Sequence, residues 1–262
     1  MDRNKYTKEE CWIVADKLAD DRLPSVNSLQ KAVYPSSSFY AKYVKRMFDI
    51  LISSTALILT SPINILIWIG TAIDVGRPLL FKQSRVGKDG RLFTLYKFRN
   101  MRNTTDGHGN LLPAAQRVTR FGRFVRKTSL DELLNFWSVL KGDMSIIGPR
   151  PLLPEYTHRY SDRHRLRLHV RPGLECPPHD LRAHPITWHN QFENDIWYVE
   201  NVSFATDVKC IINLVKYAFD SKSATVRGAA KRTAFMGYDE NGIAISVDDV
   251  PDDFAREVLT NG

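Results

Sequence analysis

Apolar positions fall into three rhythms along this chain. Over the first forty residues charged and apolar positions alternate ("TKEECWIVADKLADD") until "LPSVNSLQ" and "YPSSSF" bring turn formers, which predicts one or two short helices and a linker. The period of "LPSVNSLQKAV" also carries a faint helix-turn-helix pattern, for which a solvated amphipathic helix is the simpler reading. A second rhythm is continuous: Ile50 to Ile73 run for 24 residues without a charge, long enough on paper to span a bilayer. The third is short and alternating, "PLLFKQSRVGKDGRLFTLYKFRNM", and predicts two strands around a glycine-bearing turn from Val86 to Gly90.

The paper length of the apolar run misleads. Ser61-Pro62 falls at its centre, where proline has no N–H for the carbonyl four residues back and clashes with it, so a kink or break is expected. Each half, Ile50–Thr60 and Ile63–Ile73, has 11 residues. At about 1.5 Å per residue that is roughly 16 Å, about half of a ~30 Å hydrocarbon core. Lys42, Lys45 and Arg46 precede the run, and Arg77, Lys82, Arg85, Lys88 and Arg91 follow it. Positive charge on both flanks favours a hairpin that dips into one leaflet and returns to the cytoplasmic side. A plain spanning helix is the competing reading, whereas a buried soluble helix seldom runs this long without a charge.

Composition narrows the partners. The chain has 262 residues, 43% of them hydrophobic, enough for one sizeable core with appendages. Lys and Arg exceed Asp and Glu by 37 − 29 = 8, which points to an anionic partner: nucleic acid, an acidic lipid surface or a phosphorylated small molecule. Cys11, Cys176 and Cys210 are odd in number and show no C-x-x-C spacing, which argues against a disulfide framework or a thiolate zinc site and suits a reducing, cytoplasm-facing location. The first forty residues lack the apolar stretch of a signal peptide.

Candidate chemistry concentrates in "RKTSLDELLNFWSVLKGDMSIIGPRP", Arg126 to Pro151. Ser129-Leu130-Asp131-Glu132 fits a capping box, with Ser129 as N-cap and Glu132 reaching back to its amide. The same reading puts Asp131 and Glu132 in a first helical turn, where the dipole should hold their pKa values down and a phosphate could sit nearby. With Arg126 and Lys127 before the pair, and Lys141, Asp143 and Arg150 after it, the group could bind a pyrophosphate with a divalent metal. Lys97, Phe98, Arg99 and Met101 interleave charge and grease, which suits a strand snorkelling at a membrane surface, a phosphate contact, or both.

At this point a resemblance becomes specific. "RVGKDGRLFTLYKFRNM", "RFGRFVRKTSLDELLNFWSVLKGDMSIIGPRP", "HVRPG" and "YVENVSFATDVK" together resemble the bacterial sugar transferase family, the monotopic polyprenyl-phosphate phosphoglycosyl transferases, over roughly Tyr43 to Asp220. The resemblance implies an α/β fold, mostly helical around a small sheet, in a monotopic membrane protein with a re-entrant, Ser-Pro-broken helix. Its parts would be an N-terminal appendage (1–42), a membrane hairpin (43–76), a catalytic domain (77–220) and a tail (221–262). It implies transfer of a sugar phosphate from a UDP-sugar to undecaprenyl phosphate, with release of UMP, at the cytoplasmic face of a bacterial inner membrane. The family's acidic dyad falls on Asp131 and Glu132, its Pro-Arg-Pro turn on Pro149-Arg150-Pro151 and its Lys-Phe-Arg segment on Lys97-Phe98-Arg99. Asp195 and Asp207 also sit where family acids sit. Asp131 would be the nucleophile and Glu132 a Mg²⁺ ligand, with Lys97, Arg99, Arg126, Arg150 and Arg182 contacting substrate. Membrane lipid is the expected surroundings, nucleic acid is not an expected partner, and self-association is left open.

The chain departs from the family after Arg171-Pro172-Gly173. There "GLECPPHDLRAHPITW" puts Glu175, Cys176 and His179 in place of Thr, Gly and Gln, and Arg182, Ala183 and His184 in place of Gly-Arg-Asn. An arginine that could contact the nucleotide is missing at Ala183, although Arg182 is adjacent. Leu134, Asn135 and Ser138 replace the usual Pro, Gln and Asn. The rewritten loop raises a second reading, an impaired family member acting as a membrane-bound assembly or regulatory protein. Six of the seven histidines lie between His158 and His189, but their spacing suits no common zinc ligand set. Beyond Asp220 the tail turns acidic, holds a turn at Glu240-Asn241-Gly242, and is a candidate for contact with a neighbouring subunit or partner.

Overall fold

A computed structural model of the chain describes residues 1, 5–179, 187–219 and 233–261. Its helices are α1 (Lys8–Leu29), α2 (Lys45–Asp74), α3 (Ala114–Arg117), α4 (Arg120–Lys127), α5 (Asn135–Lys141), α6 (Asp162–Arg165), α7 (Trp188–Glu200), α8 (Phe204–Phe219) and α9 (Asp252–Asn261). Its strands are β1 (Leu80–Val86), β2 (Leu92–Phe98), β3 (Ser145–Ile147), β4 (Gly173–Glu175), β5 (Phe235–Tyr238) and β6 (Ala244–Ser246). The fold is mostly helical as expected, but among the described residues the strands make three separate two-stranded sheets and not one. The chain gathers into two compact units, one of Met1–Lys45, Val86–Arg91 and Ile147–Gly262, the other of Arg46–Arg85 and Leu92–Ile146.

In the first unit the two ends of the chain share a core. Thr7 and Glu10 form a reciprocal cap: Glu10 N–H donates to Thr7 Oγ1 (3.2 Å) and Thr7 N–H to the Glu10 carboxylate (2.6 Å). From there α1 runs unbroken through Pro24, against the expectation of short helices and a turn, and the faint helix-turn-helix pattern has no counterpart. Tertiary packing overrides the turn formers. Val14, Ala15 and Leu18 are buried with Met236, Ile245, Val247, Val250 and Ala255, and Val26 is buried with Tyr156, Trp188, Phe192 and Phe235. Residues 233–261 thus fold back onto the chain's own first helix. The β5–β6 turn is where the sequence put it, closed by Asp239, whose carboxylate accepts from Asn241 N–H (3.0 Å) and Ile243 N–H (2.8 Å). Phe235 is fully buried, with the rings of Tyr156, Tyr160, Trp188, Phe192 and Tyr238 around it. Truncating it to Ala should cost about 3–5 kcal/mol.

The second unit holds nearly all of α2, most of β1, β2 and α3–α5. The β1–β2 hairpin and its Gly-bearing turn match the sequence expectation. α2 does not break at Pro62. The Ile58 carbonyl, which Pro62 cannot serve, accepts instead from Ser61 Oγ at 2.8 Å, and Thr60 Oγ1 donates to the Ala56 carbonyl at 2.7 Å. The segment Tyr40–Asp74 is long and apolar enough to cross a membrane. Its fully buried side chains are Asp49 and Ser53 near one end and Ile67 and Thr71 near the other, while the stretch between is half-buried or exposed.

Candidate active site

The acidic pair lies in the second unit, on a single 3₁₀ turn from Leu130 to Glu132. α4 leads into it, capped by Thr119, whose hydroxyl accepts from Gly122 N–H at 2.8 Å. Gly122 lies so close to the chain after β2 that a Cβ there would stand 2.1 Å from the Asn100 carbonyl oxygen. This fixes Asn100, whose side-chain amide donates to Asp131 Oδ2 at 3.3 Å. Lys97, on β2, pairs with Glu132 Oε1 at 2.6 Å. The strand segment and the dyad, 35 residues apart in sequence, are joined by this ion pair.

Two expectations about this turn are overturned. Ser129 stands at the N-cap position but closes no capping box: its φ of 55° is left-handed, its side chain makes no cap hydrogen bond, and the Glu132 carboxylate is paired with Lys97. Asp131 is not held down in pKa but raised, first by burial and then by the like charge of Glu132, with Lys97 and Arg126 opposing. A 3₁₀ turn of three residues offers little dipole, and the side chain is only 7% exposed. Arg126 is exposed and contributes positive potential. Arg99 points elsewhere, donating to the carbonyls of Pro78 (2.8 Å) and Met101 (3.0 Å) and to Asn103 Oδ1 (2.7 Å).

The remaining described candidates lie in the first unit. Arg150 Nη1 is 3.4 Å from Glu175 Oε2, an exposed ion pair between the Pro-Arg-Pro turn and the rewritten loop. Arg167, which sequence reading did not single out, is buried and donates to the Arg150 carbonyl at 2.8 Å and to Asp195 Oδ2 at 2.7 Å. Asp207 accepts from Tyr40 (2.7 Å), Lys45 (2.6 Å) and Tyr198 (2.6 Å), so both expected acids serve as buried struts. Asn194 grips the rewritten loop: its Oδ1 accepts from His179 N–H at 2.9 Å and lies 2.9 Å from His179 Nδ1, and its amide faces the Cys176 and Pro177 carbonyls, each at 3.4 Å. His179 stacks on Trp197 at 4.4 Å between ring centres. Arg182, Ala183 and His184 lie outside the described residues. Asn100, Arg167 and Asn194 carried no signal of their own, since only folding shows that each serves a neighbouring loop.

A family model described as bacterial sugar transferase matches residues 40–221. The chain belongs to the bacterial sugar transferase family. An uncharacterized sugar transferase of Bacillus subtilis, EpsL, is 42% identical over 194 residues, which is 74% of this chain and 96% of that protein. The undecaprenyl-phosphate galactose phosphotransferase of Salmonella typhimurium is 35% identical over 193 residues, 67% of this chain and 40% of its own. The UDP-glucose:undecaprenyl-phosphate glucose-1-phosphate transferase of Klebsiella pneumoniae is 35% identical over 191 residues, 69% of this chain and 41% of its own. This sugar transferase chain thus spans nearly all of the first relative and less than half the length of the other two. The family match takes in α2 through α8 and every candidate site residue, while α1, β5, β6 and α9 fall outside it.

Proposed function

We propose that this protein is a monotopic phosphoglycosyl transferase that moves a sugar 1-phosphate from a UDP-sugar to undecaprenyl phosphate at the cytoplasmic face of the inner membrane, as the first membrane step of a bacterial surface glycan. The observation that carries this reading is the buried Asp131 carboxylate beside the Glu132–Lys97 pair, in a chain whose relatives are named for that reaction. Asp131 attacks the sugar-bearing phosphorus of the donor, and the bond from that phosphorus to the UMP oxygen breaks with its electron pair leaving on UMP. An oxygen of the acceptor's phosphate then attacks the same phosphorus, and Asp131 departs as the free carboxylate. Burial raises the energy of the charged nucleophile, while Lys97 and Arg126 keep positive charge where the donor's phosphates gather negative charge. Arg99 acts by bracing the loop that follows Lys97.

Mg²⁺ suits the donor set. Among the described residues no group of three or more His, Cys, Asp or Glu side chains forms a metal cage. A cation at the dyad would be held by Glu132, with remaining oxygens from donor phosphates and water, which is the habit of magnesium. Bound there it would neutralise the pyrophosphate and the departing UMP.

The re-entrant topology is supported by the two ends of α2. Both have buried side chains within the same compact unit, Asp49 and Ser53 toward one end and Ile67 and Thr71 toward the other, and Ser61, Pro62 and Ile63 between them are exposed. A helix of 30 residues is about 45 Å long, enough to cross a ~30 Å core if straight, so the re-entrant reading requires α2 to bend at Ser61-Pro62. Measurement of UMP release from a panel of UDP-sugars with undecaprenyl phosphate and Mg²⁺ tests the function. Release with at least one donor is expected, and none with any would defeat the proposal.

A further inference from the structure

Arg46 and Asp49 stand one turn apart at the start of α2, and the chemistry above uses neither. The Arg46 guanidinium donates to the Val139 and Leu140 carbonyls, each at 2.7 Å. These lie in the last turn of α5, the helix that follows the dyad, which ends at Gly142 in the left-handed region (φ 97°). Asp49 is 2% exposed, and its Oδ1 accepts from Ser145 Oγ (2.9 Å) and Ile146 N–H (3.0 Å), just beyond α5. Buried Ser53 donates to the Asp49 carbonyl at 2.6 Å. This end of α2 is therefore a polar joint.

The other end of α2 is apolar. Ile67 is buried with Phe98 and Val125, and Leu130, Leu133 and Leu134 pack against that cluster. A Cβ added to Gly70 would stand 2.4 Å from the ring of Phe121. The stretch carrying Asp131 and Glu132 is thus strung between the two ends of one helix, with Leu130 and Leu133 at the apolar end and Val139 and Leu140 at the polar one. Burying a carboxylate is costly, and Asp49 Oδ2 has no hydrogen-bond partner among the described residues. Apolar side chains would hold the helix at less cost. What the Arg46 and Asp49 bonds add is direction, since each fixes one carbonyl or amide at one angle.

We propose, on the basis of the phosphoglycosyl transferase reading, that Arg46 and Asp49 are positioning residues that set the depth of the acidic dyad relative to the membrane-embedded helix. The covalent phosphosugar then meets the phosphate of the lipid acceptor, while the water-borne donor reaches Asp131 without their help. The two half-reactions should part company when the joint is broken.

The test uses the full chain in membranes, with whichever of UDP-glucose, UDP-galactose and UDP-N-acetylgalactosamine the parent accepts. Exchange of labelled UMP into the UDP-sugar without acceptor reads the donor half, and transfer to undecaprenyl phosphate reads the second. In Arg46→Gln and Asp49→Leu, exchange should stay within about threefold of the parent, while transfer falls about tenfold or more with a raised KM for the acceptor. Asp49→Asn keeps an oxygen for Ser145 and Ile146 and should restore transfer to within about threefold. Should Asp49→Leu not fold, Arg46→Lys, which loses the fork and keeps the charge, carries the same comparison. Exchange and transfer falling in parallel, or neither moving, overturns the proposal. A parent that exchanges no UMP with any donor overturns the transferase reading itself, and so the two failures are told apart.

Discussion

Gly122→Ala is a one-carbon change outside the dyad that should disable it. The new Cβ would stand 2.1 Å from the Asn100 carbonyl oxygen, 2.7 Å from its carbon and 2.9 Å from its Cα, all backbone atoms that cannot swing aside. Ordinary contact begins at 3.4 Å, so α4 or the Asn100 segment must give way by 3.4 − 2.1 = 1.3 Å. The Asn100 amide is already 3.3 Å from Asp131 Oδ2, and a shift of that size breaks the bond. Overpacking of this kind costs about 1–3 kcal/mol of stability, and a displacement near 1 Å at a reacting group can cost about a hundredfold in rate. Thermal unfolding and UMP release, measured on Gly122→Ala, Asn100→Ala and the double variant, give the answer. If Gly122 acts through Asn100, the activity losses will not add. Full activity in Gly122→Ala, or losses that simply add, would refute the reasoning.

Other outcomes follow from the same geometry. In this mechanism Asp131 is ionised when it attacks, and its raised pKa means that the rate falls as pH drops through a value above that of an ordinary aspartate. Glu132→Gln removes one raising cause and should move that acidic limb to lower pH, whereas Lys97→Met removes an opposing charge and should move it up; limbs that stay put in both variants contradict this. Pro62→Ala restores the missing backbone donor to the Ile58 carbonyl and should send some molecules into a spanning topology, so cysteine labelling at positions 42 and 82 would report opposite sides; identical labelling in parent and variant contradicts it.

The sequence made local features legible and left long-range ones hidden. The β1–β2 hairpin and the Asp239–Gly242 turn are written in short-range turn chemistry, and both formed where the pattern put them. The uncharged run marked α2, and a long block of ordered residues marked the dyad. The capping box at Ser129 failed because the motif is only four residues long, and the left-handed turn after α4 left no room for a helix start. The pKa of Asp131 was misjudged for a related reason: burial is set by chain segments far away in sequence. α1 ran through Pro24 because β5 and α9 cover it, which no window of fifteen residues can reveal. In the sequence Arg46 stands out only as flanking charge and Asp49 not at all, since nothing local says which carbonyls a guanidinium will find.

The central claim is that Asp131 forms a covalent phosphosugar. It is tested most directly by acid-quenching the purified protein after brief exposure to its UDP-sugar and Mg²⁺ without acceptor, followed by mass spectrometry of the intact chain and of the peptide bearing residue 131. The account predicts a mass gain of one sugar phosphate on that peptide in the parent, discharged when undecaprenyl phosphate is added, and none in Asp131→Asn, which also releases no UMP. A parent that turns over without any such adduct, or an Asp131→Asn variant that releases UMP at the parent rate, would contradict it.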